Sequence, residues 1–118
     1  MFRVLILLLL FPISFFSQQN YFQLGYGGSL DDEFRGVCTT SDGGIIATGV
    51  TESFGSGGKD VWVVKTGANG TIQWSKAYGG TSSDAGNSII ELSTGGFLIG
   101  GVSSSYNLAG YDDMLVIR

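Results

Sequence analysis

The chain has 118 residues, 43% apolar and 14% charged, with 20 Gly, one Pro, one Cys, no His and a formal net charge of −4. That composition excludes a collagen repeat, a disordered acidic tail, a disulfide scaffold and any catalytic or metal site built on histidine.

The first element in chain order is a leader. Arg3 precedes an apolar run from Val4 to Phe11, followed by Pro12, Ile13 and Ser14-Phe15-Phe16-Ser17. The run is shorter than the roughly 20 residues that span a bilayer, Pro12 interrupts it, and polar Gln18-Gln19-Asn20 follows. Residues 1–17 therefore read as a secretory signal peptide, cleaved near Ser17, and not as a stable membrane span. No Cys follows the run, so a lipoprotein anchor is not expected. Without the leader, five basic residues (Arg35, Lys59, Lys65, Lys76 and Arg118) face ten carboxylates, a net charge of −5. Phosphate backbones and anionic membranes repel such a chain, so nucleic acid is not an expected partner. Cys38 has no second thiol to pair with and reads as a buried apolar side chain.

Beyond the leader, four strand-like runs separated by Gly-rich turns can be read before the pattern returns, and none carries a helical 3.6-residue stripe. The first is Arg35 to Thr40, after which Asp42-Gly43-Gly44 supplies the positive φ of a hairpin turn. The second, Ile45 to Val50, leads into a loop from Glu52 to Lys59. The third, Val61-Trp62-Val63-Val64, is apolar on both faces, as in a strand sandwiched between two layers. Asn69-Gly70 is a two-residue hairpin signal. It opens the fourth run, Thr71 to Tyr78, where Ile72, Trp74 and Tyr78 alternate with Gln73 and Ser75 as in an outer strand with one wet face.

The same text then recurs. Tyr26-Gly27-Gly28-Ser29 returns as Tyr78-Gly79-Gly80-Thr81, and Gly43 to Val50 returns as Gly95 to Val102, both 52 residues on. Asp32 maps to Asp84 and Phe54 to Tyr106 at that offset, and Asp60 to Lys65 maps to Asp113 to Arg118 at 53. The second round predicts strands near 87–92, 97–103 and 113–117. Upstream, Asn20 to Tyr26 aligns with Ile72 to Tyr78, a fourth strand without its first three.

A four-stranded meander repeated at this period, apolar on both faces, fits an all-β fold of β-propeller blades stacked face to face. The expected organisation is a signal peptide over 1–17 and a partial β-propeller over 18–118. The latter comprises an orphan outer strand at 20–26, a blade at about 34–78 and an incomplete blade at about 86–118. Closure takes roughly 4 to 8 blades, so the sequence reads as the N-terminal piece of a longer protein. Faces carrying Ile46, Val63 and Ile99 should await cover from a neighbouring blade, which would leave the piece prone to assemble or aggregate.

The ordered motifs Tyr-Gly-Gly-Ser/Thr-x-x-Asp, Ser-Asp-Gly-Gly-apolar-apolar-Ala-x-Gly, Gly-x-Asp-apolar-x-Val-Val-Lys and Asn-Gly-x-apolar-x-Trp resemble the tandem propeller repeats of large secreted bacterial surface proteins. Many members of that family carry a C-terminal sorting domain for type IX secretion. The resemblance covers residues 20–118 and implies a fold and an exported or cell-surface destination. It implies no catalytic residue and no cofactor. Thr94 departs from the pattern where the turn motif has Asp.

The chemistry-bearing residues read mainly as structural. Asp31, Asp32 and Glu33 follow a Gly-rich turn, but no calcium-loop spacing is present, and Asp31 and Glu33 become Ser83 and Ala85 one period on. Asp32 and Asp84 are expected to accept N–H bonds in their own turns, and Asp60 and Asp113 to do the same before the third strand. Gly55-Ser56-Gly57-Gly58-Lys59-Asp60 lacks the P-loop spacing and a following helix. Trp62 becomes Leu115, a change that a core accepts and a sugar-stacking platform does not. The expected function is a non-catalytic binding or adhesion scaffold for a protein or polysaccharide partner, with specificity in the loops 52–59 and 103–112. The alternative is the N-terminal part of a propeller enzyme, quinoprotein-like or polymer-degrading, whose catalytic residues lie elsewhere. The Gly-to-Trp spacing of Asn69 to Trp74 is similar to the blade motif of quinone-cofactor dehydrogenases, but its Trp docks blades and performs no chemistry.

Overall fold

The computed structural model describes residues 21–106 and 110–118. The expected leader at 1–17 and Asn20 lie outside the described residues. The described residues are all-β, with seven strands: β1 (Asp32–Thr39), β2 (Ile45–Thr51), β3 (Asp60–Thr66), β4 (Ile72–Tyr78), β5 (Asp84–Glu91), β6 (Phe97–Ser103) and β7 (Asp113–Ile117). Within each sheet, strands pair antiparallel with their neighbours in sequence, while β4 and β5 do not pair, giving a four-stranded sheet β1-β2-β3-β4 and a three-stranded sheet β5-β6-β7. No helix among the described residues is long and apolar enough to cross a membrane.

Turn chemistry sets the meander. Gly43 takes φ 82°, its N–H bonds Thr40 O, and Thr40 N–H bonds Gly44 O. This is a three-residue turn whose last residue must be left-handed. The expected two-residue turn at Asn69-Gly70 is corrected to the same form: Gly70 takes φ 82°, with Gly70 N–H to Gly67 O and Gly67 N–H to Thr71 O. The Asn69 side chain stiffens it by accepting from Thr71 N–H at 3.0 Å.

Strands β1 and β5 begin earlier than the sequence suggests, at Asp32 and Asp84, because a bulge lets the ladder run on. The register slips between Phe34 and Gly36 in one sheet and between Gly86 and Ser88 in the other, 52 positions apart. The skipped residues meet across the sheets, where Arg35 Nη1 donates to Asn87 Oδ1 at 3.3 Å.

The core lies between the sheets. Ile46, Val61 and Val63 from the first meet Ile89 and Ile99 from the second, with Cys38, Trp74, Tyr78, Phe97, Leu115 and Ile117 packed around them. Gly86 brings the backbones close: a side chain there would collide with the Thr48 hydroxyl and press on Val61. Ile46, Val63 and Ile99, expected to lie bare, are covered by this stacking. The bare apolar face is instead the far side of the second sheet, with Ile90, Val102, Met114 and Val116. Cys38 is only half-buried at the edge of the core and donates to its neighbour's carbonyl, Thr39 O.

On the outer face of the first sheet, Trp62 is buried between Phe34, stacked at 5.0 Å, and Phe54, tilted at 5.6 Å. Residues 21–26 form no strand, a departure from the expected outer strand at 20–26. An outer strand of a blade pairs along the third strand, and both sides of β3 are already taken, by β2 and β4. The segment lies over the outer face instead: Phe22, Leu24 and Tyr26 line a groove there with Val37, Ile45, Ala47 and Val64.

Candidate functional site

One end of the two sheets is organised by a carboxylate clamp that occurs twice. Asp32, at the start of β1, accepts from the Thr51 hydroxyl at the end of β2, from the Ser53 hydroxyl at 2.7 Å and from Gly28 N–H at 2.8 Å. Asp84, at the start of β5, accepts from the Ser103 hydroxyl, from the Ser105 hydroxyl at 2.6 Å and from Gly80 N–H at 2.9 Å. The Thr51 and Ser103 hydroxyls in turn accept the N–H groups of Ser53 and Phe54, and of Ser105 and Tyr106. Each clamp thus ties the turn before a sheet to the loop leaving its second strand. The expected acceptance of turn N–H groups by Asp32 and Asp84 is realised, and the hydroxyl pairs at 51/53 and 103/105 add partners that the sequence reading did not name.

These bonds govern the acidity of the clamps. Burial pushes the Asp32 carboxyl up, but the Thr51 hydroxyl, Gly28 N–H and the Ser53 hydroxyl and N–H outweigh it and bring the pKa to about 2. Burial also pushes Asp84 up, and the hydroxyls of Ser103 and Ser105 with the N–H groups of Gly80 and Ser105 bring it below its ordinary value. Both carboxylates are ionised acceptors at neutral pH, unsuited to passing protons.

Asp60 differs. It is 1% exposed, and Oδ2 accepts Ser56 N–H at 2.9 Å, as expected of a turn-binding Asp, but Oδ1 has no partner among the described residues. A side chain on Gly79 would collide with both Asp60 Oδ1 and Asp84 Oδ2, so the two carboxyl groups face one another at the junction of the sheets. Burial, opposed by the Ser56 bond and reinforced by the charge of Asp84, raises the Asp60 pKa. Asp113, its counterpart, is exposed on the outermost strand. Among the described residues no three His, Cys, Asp or Glu side chains are grouped to hold a metal ion.

Between the first clamp and the surface lies an open polar cavity of about 290 Å³, lined by Asp31, Asp32, Glu33, Val50, Glu52 and Lys59. Asp32 is committed to the clamp. Glu33 pairs with Arg35 at 2.6 Å and Glu52 with Lys59 at 3.3 Å, both at the solvent. The sequence cluster Asp31, Asp32 and Glu33 is therefore brought together with the loop 52–59, and the cavity carries more negative than positive charge. A neighbouring concavity continues over Leu30, Gly57, Gly58 and Ser83. The arrangement offers carboxylate acceptors and one ammonium donor to a ligand, which suits recognition of hydroxyl-rich or cationic groups.

The opposite end holds a second polar arrangement with a structural task. Lys65 is 4% exposed, and its ammonium donates to Asp42 Oδ2 at 2.9 Å, Thr66 O at 2.8 Å and Gln73 Oε1 at 3.0 Å. The Thr40 hydroxyl, Lys65 and Gly44 N–H hold the Asp42 carboxyl well below the usual carboxylate range. All three ammonium protons are satisfied inside a hairpin end, so Lys65 anchors the β1–β2 turn to β3 and β4. Compared with protein-family models and with curated proteins, the chain gives no match.

Proposed function

We propose that the chain is a non-catalytic, exported repeat protein built on β-propeller-type blades, and that it serves as a binding or adhesion scaffold at the cell surface or outside the cell. The observation that carries this reading is a constant frame with variable loops. The clamps Asp32-Thr51-Ser53 and Asp84-Ser103-Ser105 have the same bonds in both sheets. The loops that they anchor, 54–59 and 106–112, differ in sequence and length. Loops held on a rigid frame are where recognition is placed. The cavity beside loop 52–59, with Asp31, Glu33, Glu52 and Lys59, favours a surface polymer bearing amines or many hydroxyls.

The test is retention of the full exported chain on chitosan, with cellulose as the uncharged comparison. Binding to chitosan that weakens several-fold in the triple substitution Asp31→Asn, Glu33→Gln, Glu52→Gln, with the fold unchanged, is expected. Retention indifferent to these substitutions, or release of soluble product from the polymer, would contradict the reading.

A further inference from the structure

The junction of the two sheets at the loop end holds a carboxyl pair that the clamps do not account for. Asp60 opens β3 and Asp84 opens β5, and each is 1% exposed. Asp60 Oδ2 accepts Ser56 N–H at 2.9 Å, while Oδ1 has no partner among the described residues. A methyl group on Gly79 would strike Asp60 Oδ1 and Asp84 Oδ2 together, so the two oxygens share the space over the Gly79 backbone. Two carboxyl groups in one buried site do not both ionise readily, and one of them keeps a proton. A buried oxygen without a donor is costly as an anion, whereas a carboxylic acid needs only an acceptor for its O–H. Asp84 Oδ2 is that acceptor.

The donors decide which side holds the proton. Asp84 accepts from the hydroxyls of Ser103 and Ser105 and from Gly80 N–H, which favours its anion. Asp60 has the Ser56 N–H alone, and burial together with the Asp84 charge outweighs it. The other charged groups on the elements around Asp60 are committed elsewhere. Across β2 it meets Thr51, whose hydroxyl serves the Asp32 clamp of β1. The adjacent end of β4 brings Tyr78, and β6 brings the two serine hydroxyls already bound to Asp84. In the loop, Lys59 and Glu52 pair with one another at the solvent at 3.3 Å.

The same carboxyl pair sits where the loop 54–59 meets the second sheet. Gly55, at φ 105°, is so close to Asp60 Oδ2 that a side chain there would collide with it, so the loop is wrapped around this carboxyl group. Lys59 O accepts Asp84 N–H at 2.6 Å. A side chain on Gly57 would strike Gly80 O in the turn before β5. The loop residues themselves are exposed. When both carboxyl groups are charged, the side that yields is the one with fewer bonds, which is Asp60 with its glycine-rich loop.

We propose that Asp60 and Asp84 form a proton-operated latch: a proton held between Asp60 Oδ1 and Asp84 Oδ2 fastens the loop 54–59 to the second sheet, and its release to solvent at higher pH loosens that loop. The proton forms a bond from one sheet to the other, and without it two negative charges face one another in its place. Protonation thus biases a local opening and leaves the rest of the stacked core in place. This inference rests on the carboxyl pair and not on ligand binding at the loops, so either can fail alone.

The experiment follows the side-chain carboxyl carbons of the full chain by NMR as pH is raised, together with the protection factor of the Asp84 amide, which is referred at each pH to the unfolded rate. Two steps are expected from the pair, one below and one above the ordinary carboxyl value of 3.8, with Asp60 carrying the upper one. The Asp84 protection factor should fall several-fold through that upper step, and Asp60→Asn should abolish the fall. In Asp84→Asn the Asp60 midpoint should move down, because the facing charge is replaced by a group that can donate. If Asp84→Asn does not fold, the Asp84 amide in the native chain and in Asp60→Asn decides the matter. An Asp60 carboxyl that titrates at or below 3.8, an Asp84 protection factor that is constant through the upper step, or an Asp60 midpoint that drops when calcium is added, which would mean a cation in the proton's place, would overturn the proposal.

Discussion

At the scale of single residues, the three carboxylates at the loop end, Asp60 and Asp84 buried and Asp32 half-buried, divide by their partners. Asp32 and Asp84 are surrounded by donors and hold their charge, so they stabilise the fold above the ordinary carboxyl pKa of 3.8. That contribution fades as pH falls through their lowered folded values, which for Asp32 means between 3.8 and about 2. Asp60 acts in the opposite sense. Its folded pKa is raised above 3.8, so folding is unpenalised when it is protonated and loses stability as pH rises from 3.8 toward the folded value. Asp60→Asn keeps the shape, removes the charge facing Asp84 and offers an N–H to the carboxylate. The expected result is a higher melting temperature than the native chain at pH 7, with the difference shrinking toward pH 3.5. A variant that is less stable at pH 7 would show that the Asp60 charge has a partner. The sequence made the turn-binding role of Asp32 and Asp84 legible, because a carboxylate after Tyr-Gly-Gly has N–H groups within reach. It could not show that Asp60 and Asp84 would meet, since they lie on different sheets and only the stacking brings them together.

At the scale of elements, the seven strands between residues 32 and 117 and their order were legible from alternation and glycine placement, because hairpin turns leave local marks. Gly70 at φ 82° is such a mark. Gly70→Ala forces a Cβ into the left-handed region and is expected to cost about 1 to 2 kcal/mol, read as a lower midpoint in urea. An unchanged midpoint would mean that the turn relaxes to another form at no cost. The early starts of β1 and β5 were hidden, because Asp31-Asp32-Glu33 has the composition of a turn, and only the bulges at Arg35 and Asn87 carry pairing past it. The outer-strand pattern of residues 20–26 was legible as a pattern, but pairing needs an edge. The nearest sheet offers this segment a face, so alternation alone misled.

At the scale of the whole molecule, the period of 52 dictates what packs on what. Two sheets with matching faces stack so that apolar positions of one meet apolar positions of the next, and Ile46, Val63, Ile89 and Ile99 leave water together. Fully burying each such side chain contributes roughly 1.5 to 3 kcal/mol, a large share of the about 5 to 15 kcal/mol by which domains are stable. The fold therefore depends on face-to-face stacking of the two repeats, and methyl and aromatic nuclear Overhauser effects in the full chain test that stacking most directly. Cross-sheet effects between Ile46 or Val63 and Ile89 or Ile99, and between the Trp74 and Phe97 rings, are the predicted result. Effects confined within each sheet, with none across the Ile46–Ile99 layer, would contradict it.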